Sequence, residues 1–175
     1  MTGGVAGRPE VVLGTDRLLL RPWRVNEAAI QRQMWIGRDP RVPPHRRIDA
    51  DGHPTVTDFE KAIRANNTPF LGLLAVQRKA AGDAIGYCGL VDSGRGAQEP
   101  GLAFEFLRRF WGQGYATEAS RAVLDWARSS GYQCVRASVW EWNTASRRVL
   151  EKVGFRETER EESDYGTNLI TTRRL

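Results

Sequence analysis

The 175 residues suffice for one domain that buries about two-thirds of its unfolded surface, and 41% hydrophobic with 27% charged residues excludes a disordered or fibrous chain. A net charge of +5 favours anionic company, but the basic residues are scattered, without an arginine-rich stretch or aromatic–basic alternation, so nucleic acid ranks behind a phosphorylated small molecule or an acidic substrate. No stretch of about 18 apolar residues and no apolar leader occur, so no membrane partner and a cytoplasmic location are expected.

In chain order, Gly3, Gly4, Gly7 and Pro9 make residues 1–14 a flexible tail ahead of a single domain over 15–175. Leu18, Leu19, Leu20 and Trp23 mark a first strand that Pro22 helps to end. Asn26 is placed to cap a helix running to about Trp35. Residues 37–57 carry Pro40, Pro43, Pro44 and Pro54 among charges and read as loop, with Asp58 as the cap of a short helix through Ala65. Phe70–Gln77 and Ala84–Val91 read as a hairpin turning at 79–83, followed by a glycine-rich loop from Ser93 to Pro100. Leu102–Leu107 is an apolar run broken only by Glu105, a mostly buried fourth strand. Val135–Trp140 is the fifth, and Asn143 caps a helix closed by Gly154. Phe155–Glu161 and Leu169–Arg173 form a closing hairpin around Asp164-Tyr165-Gly166. Strands outnumber helices and arrive as hairpins, which predicts an α+β fold with a mainly antiparallel sheet of about seven strands and helices on both faces. Cys88 and Cys134 fall inside strand-like runs without metal-ligand spacing and read as core thiols in a reducing compartment; His45 and His53 are too isolated for a metal site.

Between the fourth strand and the next helix lies Phe110-Trp111-Gly112-Gln113-Gly114-Tyr115-Ala116-Thr117-Glu118. Ala116, Ala119, Ser120, Val123, Trp126 and Ala127 then give one helix face, and Gly131 stops it. A strand–glycine turn–helix order leaves the first helical N–H groups unpaired and sets a positive partial charge before them. Without Cβ atoms at 112 and 114 a phosphate could approach the backbone, which makes residues 112–117 a candidate pyrophosphate cradle; ordinary turn chemistry is the competing reading. Neither the nucleotide-triphosphate loop ending nor the three-glycine dinucleotide fingerprint is present.

Trp-Gly-Gln-Gly-Tyr-Ala-Thr-Glu-Ala at 111–119 resembles the acyl-coenzyme A loop of GNAT N-acetyltransferases, Gln/Arg-x-x-Gly-x-Gly/Ala, with Trp111 in the first place, Gly114 in the fourth and Ala116 in the sixth. Thr15-Asp16-Arg17-Leu18-Leu19-Leu20-Arg21-Pro22 is similar to the opening strand of the branch that acetylates ribosomal-protein N-termini. Asn143-x-x-Ser146 followed by Val149–Phe155 is similar to that branch's second cofactor element. The resemblance implies a sheet splayed between its fourth and fifth strands, with acetyl-coenzyme A as cosubstrate and no metal. The pantetheine arm would pair with the backbone of Phe104, Glu105 and Phe106, the amide near Phe106 would face the oxyanion, and the pyrophosphate would meet Gly112, Gln113, Gly114, Tyr115, Ala116 and Thr117. Asn143 would bind the pantetheine arm, and Ser146 would sit near the thioester sulfur as a candidate acid. Glu105 is the candidate general base, because a desolvated carboxylate gains proton affinity; the alternative is that it faces solvent. Glu99 lies nearer the family's usual base position, where this chain has Gly101. Glu118 in the first helical turn reads as structural.

The implied activity is acetyl transfer from acetyl-coenzyme A directly to a primary amine: a protein N-terminus, an amino sugar, a polyamine or another small amine. The alternative is a non-catalytic acyl-coenzyme A sensor or scaffold. Six tryptophans, at 23, 35, 111, 126, 140 and 142, exceed what one core needs, so a homodimer interface or an acceptor cleft is expected to use some of them.

Overall fold

The computed structural model describes residues 12–65 and 70–175. The expected tail falls almost wholly outside these residues. Its last positions do not: Leu13–Gly14 (β1) pair with Leu18–Arg21 (β2), placing Leu13 opposite Leu20. The remaining strands are Gly72–Arg78 (β3), Ala84–Val91 (β4), Gly101–Phe106 (β5), Cys134–Trp140 (β6), Arg156–Ser163 (β7) and Gly166–Arg174 (β8). They form one open sheet in the order β1-β2-β3-β4-β5-β6-β8-β7, eight strands where about seven were expected, β1 being the addition. Every neighbouring pair is antiparallel except β5 and β6.

Among the described residues four α-helices cover the sheet: Ala28–Ile36 (α1), Val56–Ala65 (α2), Tyr115–Ser129 (α3) and Thr144–Lys152 (α4). Alternation along β5 separates the faces. Phe104 and Phe106 pack in the core with Cys88, Ala119, Val123 and Ala127, on the side of α3. Glu105 points the other way and meets Arg38, two residues beyond α1. Helices therefore lie on both faces. α3 lays its alanines and Val123 on the sheet, and Leu150 of α4 joins the same cluster. On the opposite side α1 and α2 meet through Trp35 and Phe59, ring centroids 5.6 Å apart and edge to face.

Two expected caps are corrected. Asn26 lies within a single 3₁₀ turn, Val25–Glu27, whose start is closed by the Arg24 N–H donating to Glu27 Oε2 at 2.9 Å. The cap of α2 is Thr55: its hydroxyl accepts from the Asp58 N–H at 3.2 Å, and the Asp58 carboxylate accepts from the Thr55 N–H at 2.8 Å. Asp58 is thus the third residue of a reciprocal box, where a carboxylate reaches back to the cap. Every residue of β7 is exposed, and this edge strand carries Arg156, Glu157, Glu159, Arg160, Glu161 and Glu162. Charges along a free edge keep other chains from pairing with it. Among the described residues no helix is long and apolar enough to cross a membrane.

Candidate active site

The site begins where two parallel strands part. β5 and β6 are in register at one position, Gly101 opposite Arg136, with the Arg136 N–H donating to the Pro100 carbonyl at 2.9 Å. Beyond it the fourth and fifth long strands diverge, as the family resemblance implied. The pairing of β4 with β5 decides which backbone groups face the gap. The Leu107 N–H donates to the Ile85 carbonyl at 3.0 Å, so odd-numbered residues of this segment bond to β4. Phe104 and Phe106 therefore turn their N–H and C=O groups into the splay, whereas the peptide groups of Glu105 are committed to β4.

Trp111 sits at the same mouth. Its indole N–H donates to the Phe106 carbonyl at 2.7 Å, although the side chain is about half exposed. The chain then turns through Gly112 (φ +73°) and Gly114 (φ +82°), left-handed conformations that a side chain resists. Gly114 is the N-cap of α3, and its carbonyl accepts the first helical bond, from the Glu118 N–H at 3.0 Å. The amides of Tyr115, Ala116 and Thr117 belong to the first turn and have no acceptor in the helix. No neighbour lies within 4 Å of where a Gly112 Cβ would stand, so the approach is open.

Glu118 braces this loop from behind. Its carboxylate accepts from Thr15 Oγ1 (2.6 Å), the Arg17 N–H (3.0 Å) and Arg17 Nε (2.7 Å). Arg17 also donates to the Gln113 carbonyl at 3.0 Å and stacks over Tyr115, 4.5 Å from the ring centroid. Burial would raise the Glu118 carboxyl, but the bonds from Thr15 and Arg17 outweigh it and hold it below the ordinary value. The opening Thr15-Asp16-Arg17 segment and the glycine loop, two separate motifs in the sequence, are thus one hydrogen-bonded unit.

Across the gap, Asn143 caps α4, its Oδ1 accepting from the Ser146 N–H at 3.1 Å. This leaves the amide group's NH₂ without an intrahelical duty. Ser146 is partly exposed in the first turn of α4. Asn143 and Ser146 therefore stand together beyond the end of β6, and Phe104 and Phe106 line the other wall.

Glu105 is neither free nor solvent-facing. Arg38 grips its carboxylate at both oxygens, Nε to Oε1 at 2.8 Å and Nη2 to Oε2 at 2.5 Å, and Tyr87 donates its hydroxyl to Oε2 at 2.9 Å. The Arg38 side chain is 8% exposed and stacks on Trp35, 4.1 Å from the ring centroid. Burial would lower the Arg38 guanidinium, and bonding to Glu105 pushes it up instead. Burial and the neighbouring Glu105 charge push the Tyr87 phenol up, so it keeps its proton and donates a hydrogen bond to the carboxylate. Three residues on, Arg41 stacks over Trp142 at 4.2 Å, and Trp142 lies parallel to Trp140, 6.3 Å away. The 38–41 segment thus touches β5 through Arg38 and the end of β6 through Arg41, spanning the splay on the α1 side. Sequence reasoning missed Arg38 and Tyr87. Residues 67 and 18 positions from Glu105 leave no local signal.

Glu99 pairs with Arg136 at 2.5 Å, at the closed end of the splay. His53 is exposed and meets Asp58 at 3.0 Å. Among the described residues no group of three or more His, Cys, Asp or Glu could hold a metal ion. Burial pushes the Cys88 thiol up to about 12, leaving it inert in the core.

Comparison with known proteins places this geometry. Residues 17–156 match the acetyltransferase (GNAT) domain family. An uncharacterized N-acetyltransferase, p20, of Bacillus licheniformis is 27% identical over 154 residues, covering 82% of this chain and 81% of the relative. An uncharacterized Bacillus subtilis protein, YkkB, is 36% identical over 87 residues, a match that spans about half of each chain. Among solved structures, Mycobacterium smegmatis RimJ in complex with CoA-disulfide superposes with a TM-score of 0.73 at 22% identity, over 94% of this chain and 86% of RimJ.

Proposed function

Because the chain belongs to the GNAT acetyltransferase family, we propose that it transfers an acetyl group from acetyl-coenzyme A directly to a primary amine, as a cytoplasmic enzyme. The observation that supports this most is a set of main-chain groups that neither strand nor helix pairs: the Phe104 edge and the Phe106 N–H at the splay, and the first-turn amides of α3. A pantetheine arm, with its alternating amides, would pair with the former, and a pyrophosphate would meet Gly112, Gln113, Gly114, Tyr115, Ala116 and Thr117. Asn143 has an amide NH₂ to offer the arm from the opposite wall.

The chain's own groups account for each need of the transfer. The Phe106 N–H faces the position where the thioester oxygen gains charge, and a fixed amide there lowers the barrier without reorganising. Ser146, near the sulfur, relays a proton from water to the departing thiolate, giving up its own hydroxyl proton as it takes one from the water. Glu105 handles the acceptor amine: its carboxylate, held in place by Arg38 and Tyr87, attracts the ammonium form and receives its proton directly or through water. The acceptor is an N-terminal amine of a protein, as in the branch whose opening strand this chain resembles, or a small amine such as an amino sugar or polyamine. Trp35, Trp126, Trp140 and Trp142 have ring partners within the chain and Trp111 bonds the Phe106 carbonyl, while a homodimer stays part of this proposal as the other expected use of the six tryptophans.

The competing reading, a non-catalytic acyl-coenzyme A sensor, draws on the same ion pair, because Glu105 is already engaged by Arg38. A screen of N-terminal peptides, amino sugars and polyamines for thiol release separates the two. Release with one acceptor class supports the enzyme and names its substrate. Binding of acetyl-coenzyme A without thiol release from any amine supports the sensor.

A further inference from the structure

We propose that Trp111 is a positioning residue for the oxyanion donor at Phe106, an assignment that rests on the reading of the splay given above. The peptide unit joining Phe106 to Leu107 is held at both polar ends. Its N–H donates to the Ile85 carbonyl at 3.0 Å, and its C=O accepts the Trp111 indole N–H at 2.7 Å. A peptide unit is planar, so fixing both ends fixes its orientation and restrains φ and ψ of Phe106, the two dihedrals that link it to the preceding unit. The preceding unit carries the Phe106 N–H, the group that faces the splay. β5 ends at Phe106, where the sheet no longer supports it from the β6 side. On the β4 side the ladder holds the backbone of this strand end, and on the splay side Trp111 holds it.

The local chain explains why a tryptophan can do this. A 3₁₀ turn over Arg108–Phe110 follows the strand, closed by the Phe110 N–H on the Leu107 carbonyl (2.9 Å) and the Trp111 N–H on the Arg108 carbonyl (3.1 Å). The turn brings residue 111 back level with Phe106. The Arg108 guanidinium covers the indole, 5.3 Å from its centroid, and is itself anchored through Nε to the Gly37 carbonyl at 2.7 Å. With the residue 52% exposed, burial cannot be the main reason for its placement, whereas the directed N–H bond is specific to an indole. Preorganisation of the donor is what makes such a group catalytic, because a donor that must first be oriented spends part of its stabilisation on that step.

The test is Trp111→Phe, which keeps an aromatic ring under Arg108 and deletes one hydrogen-bond donor. In the ligand-free protein, amide hydrogen exchange at Leu107 should quicken about tenfold while the melting temperature stays that of the parent. Calorimetric titration should then show coenzyme A bound as tightly as before. The ratio of acetyl-coenzyme A affinity to coenzyme A affinity should fall at least threefold from the parent's, since the Phe106 N–H meets the acetyl carbonyl while the Phe104 edge holds the pantetheine arm that both molecules share. A variant with parental exchange at Leu107 and a parental ratio of the two affinities overturns the assignment alone. Wild-type protein that binds neither molecule removes the functional reading and this assignment with it.

Discussion

The two sides of the splay are built from different material. The side proposed for the cofactor is main chain: the edges of Phe104 and Phe106, two glycines at positive φ, and the first turn of a helix. The side proposed for the acceptor is side chain: Arg38 on Glu105, Tyr87 on the same carboxylate, and Arg41 stacked over Trp142. A backbone site tolerates change in its side chains but not in its dihedral angles. A side-chain site can be rewritten by single substitutions while the fold stays intact. The contrast fits a fixed cosubstrate on one side and a chosen acceptor on the other.

The sharpest way to break that contrast is on the acceptor side. Glu105→Gln should lower kcat on the order of 10²–10⁴-fold and leave acetyl-coenzyme A affinity unchanged. It should also cost stability, because it leaves the nearly buried Arg38 charge unpaired; with Glu105 19% exposed the loss belongs at the lower end of about 3–5 kcal/mol. Thermal melting beside steady-state kinetics checks both. A variant that melts early but turns over normally would make Glu105 a tether for the 38–47 segment only.

On the cofactor side, Gly114→Val should weaken acetyl-coenzyme A binding tenfold or more, about 1.4 kcal/mol, by calorimetry. A β-branched residue resists φ +82°, and its Cβ would stand 3.4 Å from Arg17 Nη2. Smaller effects separate the two residues of the second wall. Asn143→Ala should cost about 1 kcal/mol of stability through the lost cap and weaken cofactor binding as well. Ser146→Ala should lower kcat with affinity nearly intact.

How much was legible in the sequence follows the same division. Gly112, Gly114 and Asn143 announce themselves because left-handed turns and helix caps demand particular residue types at fixed offsets. The β3–β4 and β7–β8 hairpins and the splay were legible for the same reason or through the motif that accompanies them. Arg38 and Tyr87 were not, because a long-range ion pair between polar residues looks like any solvated charge until the chain folds. The bond from Trp111 to Phe106 was equally hidden, since the sequence shows only an aromatic residue where the family pattern has Gln or Arg. Asp58 misled for a local reason: an acidic residue fits both the cap and the third position of a capping box, and Thr55 ahead of it decided the matter.

The smallest expected effect concerns acid stability. Glu118 has its folded value depressed from 4.5 by Thr15 and Arg17 against the opposing effect of burial. The stability this contributes is therefore complete above the unfolded carboxylate value and is lost as pH falls through the lower folded one. Melting temperature followed from pH 7 to pH 3 should drop less steeply in Glu118→Gln than in the parent. Parallel curves would show that the Thr15–Arg17–Glu118 brace carries no net electrostatic stability.

The central claim, a cosubstrate held by main-chain amides, is tested most directly by amide chemical shifts during a titration with acetyl-coenzyme A. The account predicts that the largest perturbations fall on Gly112 to Thr117 and on Phe104 and Phe106, while the amides of α2 and β7 stay still. Saturable binding that leaves the 112–117 amides unmoved would contradict it.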